Sequence, residues 1–259
     1  MYRTYRDKFI SSILTMSLLF FSVICFAEST KGEFSVFLFR HGKTYFNETD
    51  QVQGWSDTPL TQKGIDDAKK TGEAFKNIQF HYAYTSDLGR ARSTANYILA
   101  ANNYTTPDLV EMEGLREVFY GSYEGKTNFE IMKPLFEKKN IDVTPENWAD
   151  KYGELMSVSS EEWMINEYHN NDPTHTAETY NQVLSRTQAS IDKITRDVLS
   201  RGGGNVLLVT HGEQIGMVLA YLFPDFKNDV AIKNGSLTLI KYRDGRYTLS
   251  KVGDVSHLK

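Results

Sequence analysis

The sequence predicts an α/β domain. The expected form is a three-layer sandwich, with a mostly parallel central sheet, helices on both faces and a helical lid inserted near the middle. Three observations lead there. Residues 34–39 (FSVFLF) and 205–210 (NVLLVT) are short, nearly all-apolar runs, the pattern of strands buried on both faces. Segments with helical spacing alternate with such strands, the rhythm of a layered α/β domain. The strands end in polar clusters, where an open α/β sheet gathers its ligands. With 259 residues, 40% hydrophobic and 24% charged, the chain can build one large core and is too apolar for wholesale disorder.

Residues 1–27 stand apart from the domain, which is expected to span 28–259. Arg3, Arg6 and Lys8 precede an apolar run over 13–26 that closes at Cys25-Phe26-Ala27. This is the layout of a secretory signal peptide cleaved after Ala27, and it predicts a secreted or periplasmic protein. An uncleaved anchor is the alternative, although the run is short for a membrane span. Bulky Ile24 before Cys25 argues against lipid attachment there. Cleavage would leave 26 basic against 32 acidic residues and no cysteine at all. A disulfide, a thiol nucleophile and a Cys-based metal site are then excluded, and the chain suits an oxidising compartment. No clustered basic face marks a nucleic-acid binder, and no stable membrane association is expected after cleavage.

The elements follow in order. The strand at 34–39 is followed by a helix over 61–77, capped by Thr61, with Ile65, Ala68 and Phe75 on its apolar side. A strand at 81–85 leads into a helix at 88–101. From about 127 to 176 the rhythm breaks: Trp148, Tyr152, Trp163 and Tyr168 stand among many acidic residues. The stretch is short for a separate folding unit and reads as the lid. A helix at 178–199 returns to the core. Gly202-Gly203-Gly204 breaks it before the strand at 205–210, and a helix spans 214–223. A hairpin at 236–242 and 247–252 turns at Asp244-Gly245.

The strand ends hold the chemistry. The first gives Arg40-His41-Gly42-Lys43-Thr44, with Asn47 beyond; another gives Thr210-His211-Gly212. After the 81–85 strand come Ser86-Asp87-Leu88, Arg90 and Arg92, and later Glu117, Tyr120, Gly121 and Glu124-Gly125. A lone histidine at a strand end is more often structural than catalytic. The joint pattern is what carries information. Arg40-His41-Gly42 with Thr44 and Asn47 resembles the opening motif of the phosphoglycerate-mutase-like branch of the histidine phosphatases. The segment from Gly54-Trp55 to Thr61 and Gly64, the Ser86 to Thr94 stretch, the Glu117 to Gly125 stretch, His211-Gly212 and Asn234-Gly235-Ser236 follow in family order. The resemblance runs from about residue 34 to 258, weakest in the lid.

That resemblance implies a phosphatase acting on a small phosphomonoester, with no cofactor and no metal site. His41 would attack phosphorus through one ring nitrogen while the other donates to a backbone carbonyl. Arg40 and Arg90 would clamp the phosphate bidentately, and His211, if protonated, would add a third cation. Losing one such donor typically costs on the order of 10²–10³ in rate. Glu117 would protonate the leaving oxygen and then activate water, its pKa raised beside the bound dianion; the alternative is a surface carboxylate paired with Arg116. Asn47, Thr44, Gln53, Gly54, Tyr120 and Gly212 are candidate substrate contacts, although Tyr120 fits the core equally well. His81, His169, His175 and His257 lack metal-type spacing. Arg92 is expected to pair with an acidic residue, and Trp148 and Trp163 to anchor the lid.

The same family also contains mutases, which hold a second phosphate. Between Asn140 and Tyr180 the only Lys or Arg is Lys151, against nine acidic residues, so the lid is built to repel one. Hydrolysis is therefore preferred over a cofactor-dependent phosphoglycerate mutase. The 94 positions from Glu117 to His211 nevertheless resemble the mutases in length. The family branch with a second arginine in its opening motif fits poorly, since Thr44 takes that position. A non-catalytic phospho-ligand binding protein is the reading from a different class.

Overall fold

The computed structural model describes residues 32–226 and 230–259; the expected leader at 1–27 lies outside the described residues. Six strands form one sheet in the order β3-β2-β4-β1-β5-β6. They are β1 (Phe34–Arg40), β2 (Tyr82–Ser86), β3 (Leu109–Met112), β4 (Gly204–Thr210), β5 (Leu237–Arg243) and β6 (Arg246–Asp254). The pairs β1·β4, β2·β4 and β2·β3 are parallel, whereas β5 joins β1 and β6 antiparallel. The sheet is thus mixed, three parallel pairings against two.

Alternation along the two central strands explains why both read as apolar runs. Val36, Leu38, Val206 and Leu208 face one layer, made with Ile191, Ile194 and Val198 of α7 (Tyr180–Ser200) and Ile215, Val218 and Leu219 of α8 (Gly212–Leu222). Phe39, Leu207 and Val209 face the other, made with Ala91, Ala95 and Ile98 of α3 (Gly89–Ala100) and Phe75 of α2 (Gln62–Phe75). Each fully buried side chain of this kind contributes roughly 1.5–3 kcal/mol of transfer free energy.

A third apolar cluster belongs to the region between α3 and α7. Helices α4 (Asn128–Lys138), α5 (Tyr152–Ser157) and α6 (Glu161–Asn171) pack Leu135, Phe136, Leu155, Met164, Ile165 and Tyr168 against Val118, Tyr120 and Tyr123, and reach Val183 of α7 and Met217 of α8. Trp148 and Trp163 are partly buried against it. Asp172, fully buried, ties the end of α6 down by accepting from Ser122, Thr174, Thr176 and Ala177.

Several boundaries differ from the sequence expectation for local reasons. Thr61 does cap α2, its Oγ1 accepting the Gly64 N–H at 3.1 Å. Helix α8 starts two residues before 214, because a distant carboxylate caps its first turn. Helix α7 starts at Tyr180 rather than 178, where Thr179 and Gln182 form a capping box. The edge strand β3 and a four-residue helix α1 (Tyr45–Glu48) were not expected.

Candidate active site

The parallel register of β1 and β4 sets Arg40 opposite Thr210, so His41 and His211 leave the sheet side by side. Their rings lie 5.1 Å apart between centroids. His41 is 3% exposed, and its Nδ1 lies 2.8 Å from the Gly42 carbonyl oxygen. A carbonyl only accepts, so Nδ1 carries the hydrogen. Nε2 then keeps its lone pair, which accepts from Arg90 Nε at 3.3 Å. Burial, followed by Arg90 and Arg40, holds the His41 pKa well below the usual imidazole range. The ring is a neutral imidazole with its nucleophilic nitrogen turned to the arginines.

Helix α3 delivers Arg90, 1% exposed. Its other nitrogens donate to the carbonyls of Gln53, Gly54 and Ser56 and to Asp57 Oδ1 at 2.7–3.2 Å. Only Nε faces His41. The expected bidentate clamp is therefore not available from Arg90 as it stands, because its fork holds the 53–57 loop. Arg40 has more to offer: Nη1 donates to the Ile232 carbonyl at 2.7 Å, while its buried Nε has no partner among the described residues.

His211, fully buried, also has both ring nitrogens without a partner among the described residues. Burial, then Arg90, His41 and Arg40, lowers its pKa well below the usual range. Burial and these cations thus favour neutral His211, and the third cation expected from the sequence needs an anion beside it to supply the compensating charge. Gly212 opens α8 beside Arg40; a Cβ there would meet the guanidinium at 3.4 Å. Among the described residues its N–H has no acceptor.

Glu117 is 6% exposed and caps α8: Oε1 accepts the N–H groups of Val118 and Gln214 at 3.1 and 3.0 Å, and Oε2 that of Glu213 at 3.2 Å. Its pKa is raised, and the cause is burial rather than a ligand; Arg90, Arg40 and the amide donors oppose it. The alternative pairing with Arg116 does not form. Arg116 instead pairs with Asp87 and stacks on Trp55 at 4.8 Å.

The remaining candidates separate into two groups. Asn47 Oδ1 accepts from Thr44 N and from Asn234 Nδ2, and among the described residues its own amide N–H₂ has no acceptor. Thr44 and Gln53, expected as substrate contacts, are used on each other: Thr44 Oγ1 donates to Gln53 Oε1 at 2.6 Å, and Gln53 Nε2 to Thr58. They brace the loop. Gly54 is braced as well, its N–H on Glu124 and its carbonyl on Arg90; a Cβ would fall 2.2 Å from the Val118 carbonyl. Tyr120 is 9% exposed, edge-on to Tyr168, with no hydrogen-bond partner for its hydroxyl among the described residues. Arg92 pairs with Glu111.

Sequence reasoning gave no site role to three groups, although Glu124 stood in one of its motifs. Arg186 of α7 donates to the carbonyls of Gly114, Arg116 and Glu117 and to Glu178, fixing the loop that carries Glu117. Glu124 gathers the N–H groups of Gly54, Trp55, Ser56 and Tyr120. Glu213 and Glu161 bring two more half-buried carboxylates beside Glu117; only Glu213, directly after His211-Gly212, left a signal in the sequence. Among the described residues no group of three or more His, Cys, Asp or Glu is arranged to hold a metal ion.

Known proteins share this arrangement of elements. The family model described as histidine phosphatase superfamily (branch 1) matches residues 36–157 and 142–255. A 2,3-bisphosphoglycerate-dependent phosphoglycerate mutase from Lactobacillus acidophilus is 29% identical over 195 residues, covering 71% of this chain and 82% of its own. The crystal structure of a phosphoglycerate mutase from Bacillus anthracis aligns with a TM-score of 0.79 at 34% identity, covering 88% of this chain and 97% of that one. An α-ribazole phosphatase from Shigella flexneri, at 20% identity, shares the fold with a TM-score of 0.62 over 85% and 96% of the two chains.

Proposed function

The chain belongs to the histidine phosphatase superfamily, branch 1, and from that premise we propose that it is a phosphomonoester phosphatase working through a phosphohistidine on His41. The observation that carries the reading is the convergence on His41 Nε2: a lone pair on a neutral, tautomer-fixed ring, with Arg90, Arg40 and His211 around it. A phosphoryl group in transfer spreads charge over three equatorial oxygens, so catalysis is mostly positioning and electrostatic stabilisation.

In the first half-reaction the Nε2 lone pair attacks phosphorus and the P–O bond to the leaving group breaks. Protonated Glu117 gives its proton to the departing oxygen. In the second, the Glu117 carboxylate takes a proton from water as the water oxygen attacks phosphorus. The P–N bond breaks, its electron pair returns to Nε2, and Glu117 is protonated again. Arg40 Nε, the Gly212 N–H, the Asn47 amide and His211 supply donors without present partners. Arg90 Nε turns from the ring nitrogen to the anion.

The superfamily and its relatives support either a phosphatase or a mutase. Hydrolysis is favoured by charge: a mutase must hold a second phosphate, and beyond Glu117 this site presents Glu213 and Glu161 with no added cation from residues 140–180 except Lys151. Mature protein should hydrolyse p-nitrophenyl phosphate with EDTA present, and His41→Ala should abolish this. Strict Mg²⁺ dependence, or interconversion of phosphoglycerates primed by 2,3-bisphosphoglycerate without net phosphate release, would overturn the proposal. Export through residues 1–27 is part of it, supported by the basic leader and apolar run. A mature N-terminus at Glu28 would establish it, and retention of Met1 in the isolated protein would refute it.

A further inference from the structure

Glu213 and Glu161 take no part in the phosphoryl chemistry above. Glu213 is the second residue of α8, and its own N–H donates to Glu117. Glu161, in the first turn of α6, lays its carboxylate on Gly216 one turn further along α8, where a Cβ would meet Oε1 at 2.2 Å. The two acids therefore share a face of α8 beside the proton donor. Among the described residues neither has an ion-pair or hydrogen-bond partner. Half-buried like charges without partners are costly, and burial together with the neighbouring carboxylates raises the pKa of both. The nearest cation is Arg40, which the proposed chemistry commits to phosphate.

A second observation points into the same space. Tyr120 is nine-tenths buried, and its hydroxyl, next to Glu117 and Glu213, has no hydrogen-bond partner among the described residues. The hydroxyl is not one of the sealed atoms lacking a partner, so it faces accessible space rather than the core. Two carboxylates and one hydroxyl, without partners among the described residues, thus stand beside Glu117, the group that must protonate the leaving oxygen.

From this juxtaposition we propose that Glu213, Glu161 and Tyr120 form a subsite for a protonated amine on the leaving group, which makes an aminoalkyl phosphate the preferred substrate class. The proposal rests on the phosphatase reading for the place of the phosphate. An ammonium is a compact cation with three donors, matched to two carboxylates and a hydroxyl. A sugar or glycol would satisfy the hydrogen bonds but leave the charge uncompensated. A carboxylate-bearing leaving group, as in a phosphoglycerate, would be repelled.

The test compares near-isosteric esters, 2-aminoethyl and 3-aminopropyl phosphate against 2-hydroxyethyl and 3-hydroxypropyl phosphate, with p-nitrophenyl phosphate as the reference. For at least one chain length the amine should lead in kcat/KM by about tenfold or more, equivalent to about 1.4 kcal/mol. Glu213→Gln and Glu161→Gln should each collapse that ratio toward one. Equal kcat/KM for amine and alcohol at both lengths, with p-nitrophenyl phosphate turned over, defeats the amine subsite and leaves the phosphatase standing. Should nothing be hydrolysed, calorimetry on His41→Ala reads the subsite without turnover: tenfold tighter binding of the amine sustains it, and equal binding removes it. Equal ratios in wild type and in whichever glutamine variant folds likewise overturn the assignment.

Discussion

At the scale of single residues, the division of labour around His41 follows from which donors are already spent. Arg90 is saturated by the 53–57 loop, so most of its charge is structural; Arg40, Asn47 and Gly212 keep donors in reserve. Glu117 is pulled both ways, with burial favouring the acid and three amides favouring the carboxylate. A pKa raised by burial, with Arg90, Arg40 and the amides opposing it, suits a group that must give a proton and then take one. Glu117→Gln should therefore slow hydrolysis of alkyl phosphates by about 10²–10⁴-fold and of p-nitrophenyl phosphate far less, because nitrophenolate leaves without help. Steady-state kinetics on both esters checks this, and equal losses would take the proton role from Glu117. The five central residues were legible in the sequence because motif spacing carries them. Arg186 and Glu161 were not: each reaches the site across helix packing, and nothing near Arg186 or Glu161 in the chain distinguishes it from an ordinary charge on an amphipathic helix.

At the scale of elements, the loop carrying His41 is held by backbone contact with the start of α2. A Cβ on Gly64 would lie 2.2 Å from the Lys43 carbonyl oxygen, and one on Gly42 would lie 2.7 Å from that of Gly64. Neither neighbour is a side chain that can swing aside. Gly64→Ala should cost about 1–3 kcal/mol, lowering Tm by roughly 2–4 °C per kcal/mol in a domain of this size, and should cut kcat through displacement of His41. Gly153→Ala is the contrast. No atom lies within 4 Å of a Cβ there, within α5, so alanine should be neutral or stabilising by up to about 1 kcal/mol. Calorimetric melting of the two variants decides; similar Tm changes would mean the loop yields more than its contacts imply. The buried strands and their following helices were readable because both faces of β1 and β4 are covered and the apolar runs are unbroken. Helix α1 was not, since four residues turn helical only through the Thr44 and Asn47 cap. Strand β3 is a half-exposed edge of four residues with no apolar run to announce it.

At the scale of the whole molecule, two apolar layers sandwich the sheet, and the third cluster of α4 to α6 leans on them through Val183 and Met217. Native-state hydrogen exchange should reflect that order: amides of β1 and β4 open only with global unfolding, those of α5 and the chain before it well ahead. Uniform protection across both regions would show a single cooperative unit. The sandwich and the C-terminal hairpin were legible in sequence, but the docking of β5 against β1, which makes the sheet mixed, is a long-range choice that no local pattern encodes. The pairing of β1 with β4 has a further consequence. Because Arg40 and Thr210 are ladder partners, the two imidazoles take their spacing from the sheet's own rungs, and of the 169 residues strung between them only those that touch the loop, such as Gly64, Arg90 and Thr94, help to hold it. Evolution, or an engineer, can lengthen, shorten or exchange the α4 to α6 stretch of that span and alter which molecules are admitted while the histidine pair stays where the strands put it.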